Sequence, residues 1–192
     1  MRKSQVERKT NETSIVAKIN LDGTGVHKID TGIGFFDHML NLMAFHGKID
    51  LELTCQGDLE VDTHHTMEDI GLALGKAYRD ALGDRKGIQR YSHIYLPMDE
   101  VLVRLTVDIS GRPYLVYDVP MERDYLGEVD TQNFEEFFRS FISEARITLH
   151  ATLLYGRNDH HKIEAVFKAL GRVLKEASIC IGDEIMSTKG VL

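Results

Sequence analysis

The feature that most constrains this chain is that it repeats itself. His64-His65-Thr66-Met67-Glu68 is followed by DIGLALGKAYRDAL, and His160-His161-Lys162-Ile163-Glu164 by AVFKALGRVLKEAS. Aligned over nineteen residues, the two segments share seven identities, among them HHxxE and the triplet Ala-Leu-Gly, at an offset of half the 192-residue length. Two earlier pairs keep the same order. Phe36-Asp37-His38-Met39-Leu40 matches Phe134-Glu135-Glu136-Phe137-Phe138, and VAKINLDGTG (16–25) resembles VRLTVDISGR (103–112). One helix-sized match can arise by chance. Three in the same order make the chain a tandem duplication, with repeats of about 1–88 and 89–192 in a single domain.

Each repeat then reads alike. Alternating residues from Gln5 to Asn20, and from Tyr91 to Ile109, predict paired antiparallel strands. Apolar residues at helical spacing follow: Phe35, Met39, Leu42, Met43 and Phe45 in one repeat, Phe134, Phe137, Phe138, Phe141 and Ile142 in the other. A strand over 49–54 or 147–154 comes next, and then the HHxxE helix. The expected unit is β-β-α-β-α. Helices that follow a small sheet cover one of its faces, so two units should bury their helices against each other. The fold class expected is α+β, two-layer halves with the sheets outermost.

Composition narrows the function classes. A formal charge of −7, with 43% hydrophobic and 28% charged residues, is that of a soluble globular protein. It argues against a nucleic-acid partner, which needs clustered Lys and Arg. No run approaches the ~18 apolar residues of a membrane span. The opening MRKSQVERKTNET lacks the apolar stretch of a secretory signal. Cys55 and Cys180 stand alone in their segments, so neither a disulfide framework nor a CxxC knuckle is expected, and a reducing cytoplasm fits best.

The chemistry concentrates in the repeated helices. Residues i and i+4 share a helix face, so His64 neighbours Glu68 and His160 neighbours Glu164. Each pair offers one imidazole and one carboxylate to the same ion. His65 and His161 point about 100° away round the helix and could serve a second ion supplied by the other half. A lone His-His pair at a helix start is ordinarily a surface or capping feature, and Asp62-Thr63 and Asn158-Asp159 are N-cap types. Two copies at matching positions favour metal binding. His38 and its counterpart Glu136 are both ligand types as well. Mixed imidazole and carboxylate donors suit first-row divalent ions, without separating Mn, Fe, Ni and Zn.

With these residues in place, the chain resembles the imidazoleglycerol-phosphate dehydratases of histidine biosynthesis nearly end to end. The blocks that carry the resemblance are KTNETSIVAKINLDGTG, DTGIGFFDHML, GDLEVDTHHTMEDIG, DISGRPYL, LHATLLYGRNDHHKIEAVFKALGR and STKGVL. It implies a duplicated fold of the ribosomal protein S5 domain 2-like kind, a homo-oligomer of 24 subunits, and two Mn²⁺ per active site at subunit contacts. It also implies metal ligands at His38, His64, His65, Glu68, His160, His161 and Glu164. The remaining ligand position, a histidine in some members, is Glu136 here. Substrate contacts fall on Glu12, Arg90, Arg112, Lys168, Ser187 and Lys189, with Glu12 as the acid/base. Guanidinium forks and an ammonium suit phosphate oxygens; Lys168 is also placed for an i,i+4 pair with Glu164. The implied reaction dehydrates imidazoleglycerol phosphate to imidazole-acetol phosphate through a di-metal-bound imidazolate. No phosphatase domain precedes residue 1, so a fused bifunctional arrangement is not expected. Two other classes compete: a binuclear phosphohydrolase, which would release inorganic phosphate, and a non-enzymatic RNA-binding module, which the charge disfavours.

Overall fold

The computed structural model describes residues 1–192. The first repeat runs β1 (Lys3–Lys9), β2 (Thr13–Asn20), β3 (His27–Asp30), α1 (Gly34–Gly47), β4 (Asp50–Gly57) and α2 (His64–Leu82). The second runs β5 (Tyr91–Met98), β6 (Val101–Asp108), β7 (Tyr114–Asp118), a short ribbon β8 (Tyr125–Leu126) and β9 (Val129–Asp130), α3 (Gln132–Ala145), β10 (Thr148–Tyr155) and α4 (Asp159–Ala177). The sheet orders are β1-β2-β4-β3 and β5-β6-β10-β7, the same arrangement twice. In each, the last strand pairs parallel to its neighbour while the others are antiparallel.

The fold is α+β, as the sequence led us to expect, but each unit's main sheet holds one strand more than predicted, and the second unit adds the β8-β9 ribbon. In the main sheets, β3 and β7 are the additions. They are edge strands of four and five residues, too short to show an alternation, and neither buries a complete residue row. The longer strands do alternate: Thr13, Ile15, Ala17 and Ile19 of β2 face inward, as do Val101, Val103, Leu105 and Val107 of β6.

The helices meet across the two repeats, α1 against α4 and α2 against α3. Phenylalanines fill the seam. Phe36 of α1 meets Phe137 of α3 edge-on at 5.1 Å, and Phe137 stacks on Phe167 of α4 at 5.5 Å. The repeated Ala-Leu-Gly triplet has its explanation here. A Cβ on Gly75 would lie 2.3 Å from the Phe141 carbonyl oxygen, and one on Gly171 2.2 Å from that of Met43. In both repeats the glycine lets the opposite repeat's helix backbone pass in contact. No helix is long and apolar enough to cross a membrane. Both cysteines are free, Cys55 buried and Cys180 exposed.

Candidate metal centre

Both HHxxE segments open a helix, for a local reason. At α4 the Asn158 side chain accepts the N–H groups of His160 and His161, at 3.0 and 3.4 Å. At α2 the Asp62 side chain accepts that of His64 at 2.7 Å. These bonds satisfy amides that a first helical turn leaves unpaired. Capping and metal binding therefore do not compete, because the caps leave all four imidazoles free.

His38 reaches from α1 to α4. Its Nε2 is 3.6 Å from Glu164 Oε2, and His160 Nε2 is 3.1 Å from the same oxygen. The ligand atoms of these three residues all lie within 4.8 Å of one another. One comes from the first repeat and two from the second, so the duplicated fold itself builds the cluster. Glu164 is 8% exposed. Burial pushes its carboxyl up, but Lys168, with Nζ at 2.6 Å, together with His38 and His160, outweighs burial and holds it below the usual carboxylate range. Two imidazoles and one ionised carboxylate make a donor set that fits a first-row divalent ion.

The counterpart on α2 is looser. His64 Nε2 is 3.4 Å from Glu68 Oε2, but Glu136 on α3 pairs with Arg139 Nε at 3.5 Å and makes no ion pair with His64. The remaining histidines are each held by a carboxylate. His65 Nδ1 is 2.9 Å from Asp58 Oδ2, and His161 Nδ1 is 2.9 Å from Glu100 Oε2. The Asp58 bond raises the His65 pKa. His161, followed by the Asn158 backbone N–H, holds the Glu100 carboxyl down at about 2.

Glu12 sits in the turn between β1 and β2, its side chain 52% exposed and Oε1 3.9 Å from His65 Nε2. Thr10 Oγ1 accepts the N–H groups of Glu12 and Thr13, at 3.1 and 3.0 Å. Asp69 of α2 takes Arg8 at 2.7 Å and the Thr13 hydroxyl. The turn is thus fixed while the Glu12 carboxylate stays free.

Arg90, Arg112 and the Ser187–Lys189 segment, from three separate stretches of the sequence, line one cavity of about 360 Å³. Within it, Arg90 is engaged by Asp108 at 2.8 and 3.2 Å and lies over the Tyr91 ring, while Arg112 and Lys189 make no ion pair. Lys168 is not part of this group; it holds Glu164 and lies 3.7 Å from Met98 Sδ. Two larger concavities, about 630 and 490 Å³, lie on the outer sheet faces around Lys18 and Asp50 and around His93 and His150. They are open and contain none of the site residues.

Sequence reasoning missed Asp58, Asp69, Glu100 and Asn133, whose Oδ1 is 3.2 Å from His64 Nδ1. A signal existed for one of them. Continuing the match of 16–25 with 103–112 backward sets Glu12 opposite Asp99, beside Glu100.

Comparison with known proteins gives the family. The family model described as imidazoleglycerol-phosphate dehydratase matches residues 31–174. The Clostridioides difficile (strain 630) imidazoleglycerol-phosphate dehydratase is 58% identical over 192 residues, covering 100% of both chains. That of Caldicellulosiruptor saccharolyticus is 54% identical, over 98% of this chain and 97% of its own. The crystal structure of the Staphylococcus aureus enzyme superposes with a TM-score of 0.84 at 40% identity, over 93% of this chain and 99% of that one. The Pyrococcus furiosus structure gives 0.85 at 36%, over 97% and 100%. Sequence and fold agree, and this chain belongs to the imidazoleglycerol-phosphate dehydratase family.

Proposed function

We propose that this chain removes water from imidazoleglycerol phosphate to give imidazole-acetol phosphate, a step of histidine biosynthesis in the cytoplasm, with two divalent ions of the Mn²⁺ kind and within a homo-oligomer, a 24-mer by the family resemblance. Family membership makes it a lyase. The observation that carries the metal reading is the convergence of His38, His160 and Glu164. These three would hold one ion, and His64 with Glu68 would hold the other, joined by Glu136 if it turns from Arg139.

Incomplete donor sets within one chain support assembly. His64 and Glu68 supply two donors, and no third donor joins them within 4.8 Å in the same chain. His65 and His161 lie in neither donor set of their own chain and would complete sites on neighbouring copies.

When bound, the ions supply positive charge that makes an electron-rich, deprotonated substrate imidazole accessible near neutral pH. The chain's own residues do the rest. Arg112 and Lys189, with Ser187 and Arg90, bind the phosphate and orient the glycerol carbons. Glu12 stands exposed on a fixed turn, so it can take the hydrogen from the carbon beside the departing hydroxyl, as a positioned carboxylate does. Loss of hydroxide and that proton leaves an enol, which becomes the ketone. Lys168 keeps Glu164 ionised, and its contact with substrate would be made within the assembled site.

Purified protein should carry a stoichiometric first-row metal by elemental analysis, and should convert imidazoleglycerol phosphate to a ketone that retains phosphate. Release of inorganic phosphate without ketone would replace this reading with a binuclear phosphohydrolase.

A further inference from the structure

Three of the four repeated histidines are gripped by the same ring nitrogen. His65 Nδ1 meets Asp58, His161 Nδ1 meets Glu100, and His64 Nδ1 meets Asn133. A carboxylate oxygen is an acceptor toward an imidazole N–H, so the Nδ1 facing Asp58 or Glu100 carries the hydrogen. Asn133 gives the same answer by a different route. Its Nδ2 donates to Thr63 Oγ1 at 2.9 Å, so its Oδ1 faces His64 as an acceptor. In all three rings the lone pair is left on Nε2.

The partners come from unrelated places. Asp58 follows β4, Glu100 lies in the β5–β6 turn, and Asn133 is in the first turn of α3. His65 and His161 are repeat equivalents, yet their carboxylates are not. The contact has therefore been built twice rather than inherited once. Each partner is itself anchored or buried. Glu100 Oε1 accepts the Asn158 N–H at 2.8 Å. Asn133 is 5% exposed. Asp58 Oδ1 is buried with no partner at all, an arrangement that stability alone disfavours. His160 is the exception: its Nε2 faces Glu164, and its Nδ1 has no partner.

We propose that Asp58, Glu100 and Asn133 are positioning residues that fix His65, His161 and His64 as Nδ1–H tautomers, so that each ring offers Nε2 as its metal-binding atom. The inference rests on the metal-centre reading above. Outer partners of this kind orient a ligating imidazole and raise its basicity.

The test uses the assembled protein, stripped with chelator and titrated with Mn²⁺, as wild type and as Asp58→Ala, Asp58→Asn, Glu100→Ala and Glu100→Gln. Wild type must first take up Mn²⁺; no uptake by wild type would overturn the metal reading itself, and this inference with it. Given uptake, the alanine variants should bind Mn²⁺ roughly 10–100-fold more weakly, and Asn and Gln, which keep an acceptor for Nδ1–H, should recover part of the loss. Ring ¹⁵N shifts of metal-free, ¹⁵N-histidine-labelled protein give the second readout, with Nε2 of the affected ring changing from unprotonated to protonated in the alanine variants. Wild-type affinity in folded Asp58→Ala, or unchanged ring shifts, would overturn the proposal. Glu100→Ala also removes the acceptor of the Asn158 N–H ahead of α4, so Asp58, which bonds no part of α4, is the deciding position.

Discussion

The two hairpin tips of this duplicated molecule do opposite things with the same kind of residue. In the first repeat, Thr10 and Asp69 hold the turn, and the Glu12 carboxylate is left half exposed beside His65. In the second, the turn carboxylate of Glu100 is itself consumed, bonded to His161 and to the backbone ahead of α4. The helices diverge in a similar way. His38 joins its cross-repeat cluster, while its counterpart Glu136 turns to Arg139. Duplication kept the scaffold and the HHxxE segments, and Asp99, the counterpart of Glu12, stays exposed 3.9 Å from His161; what the second copy adds is Glu100, a turn carboxylate that grips its histidine. A symmetric fold need not carry symmetric chemistry.

The sharpest way to break this comparison is to treat both tips alike. Glu12→Gln should lower turnover by about 10²–10⁴-fold, the range for loss of a general acid or base, with metal content unchanged. Glu100→Gln should lower turnover far less, because the amide keeps an acceptor toward His161. Equal losses in steady-state assays would erase the distinction between a reacting and a holding carboxylate.

Next in size is the metal itself. Glu164→Gln and Glu68→Gln should each lose bound metal and activity while remaining folded, read by elemental analysis and circular dichroism. Sizing with and without chelator should show that assembly depends on the ions.

The packing seam comes third. Gly171→Ala and Gly75→Ala each drive a methyl group into a helix carbonyl, and overpacking of this kind costs roughly 1–3 kcal/mol. Denaturant midpoints should fall in both, and only Gly171→Ala should also disturb the His38–His160–Glu164 cluster, since its seam joins α1 to α4.

A pH effect is smaller and belongs to one repeat. Asp159, whose equivalent position is Thr63, accepts Lys162 at 2.7 Å and the N–H groups of Glu122 and Arg123. Burial pushes its carboxyl up, but these hydrogen bonds outweigh burial and hold it below the usual value. A depressed folded pKa gives stability that is present above the unfolded value, about 3.9, and lost as pH falls through the folded one. The Glu122 and Arg123 amides should therefore lose protection relative to their intrinsic exchange rates on acidification below about pH 4, and Asp159→Asn should show low protection already at neutral pH.

The smallest expected effect is at Glu136. Its exposed pair with Arg139 predicts that Glu136→Ala shifts stability by no more than about 0.5 kcal/mol. Selective loss of one of two bound ions in that variant would restore Glu136 as the true counterpart of His38.

Much of this was legible in the amino-acid order. HHxxE at two matching positions marked the starts of α2 and α4, and helical spacing of apolar residues marked α1 and α3, because both signals are local and periodic. β3 and β7 escaped because short parallel edge strands bury too little to leave a pattern. Asp58, Glu100 and Asn133 escaped because their bonds to the rings depend on where a loop, a turn and a helix start come to rest in space. The gathering of Arg90, Arg112, Ser187 and Lys189 could be expected only through the resemblance, since as isolated residues they look like ordinary surface polarity. The same holds for Lys168, where the plain helix-pair expectation with Glu164 is what the chain displays.

The close passage of Gly171 against Met43 has a bearing on metal selectivity. Ligand-to-metal distances in proteins are set within about 0.2 Å, and side chains alone have enough rotational slack to miss that tolerance. Where one helix backbone rests directly on another, the gap between them works as a fixed gauge with no compressible filler. His38 and His160 hang from opposite sides of that gauge. A change that thickened it, far from either ring, would retune the size of ion that the proposed centre accepts.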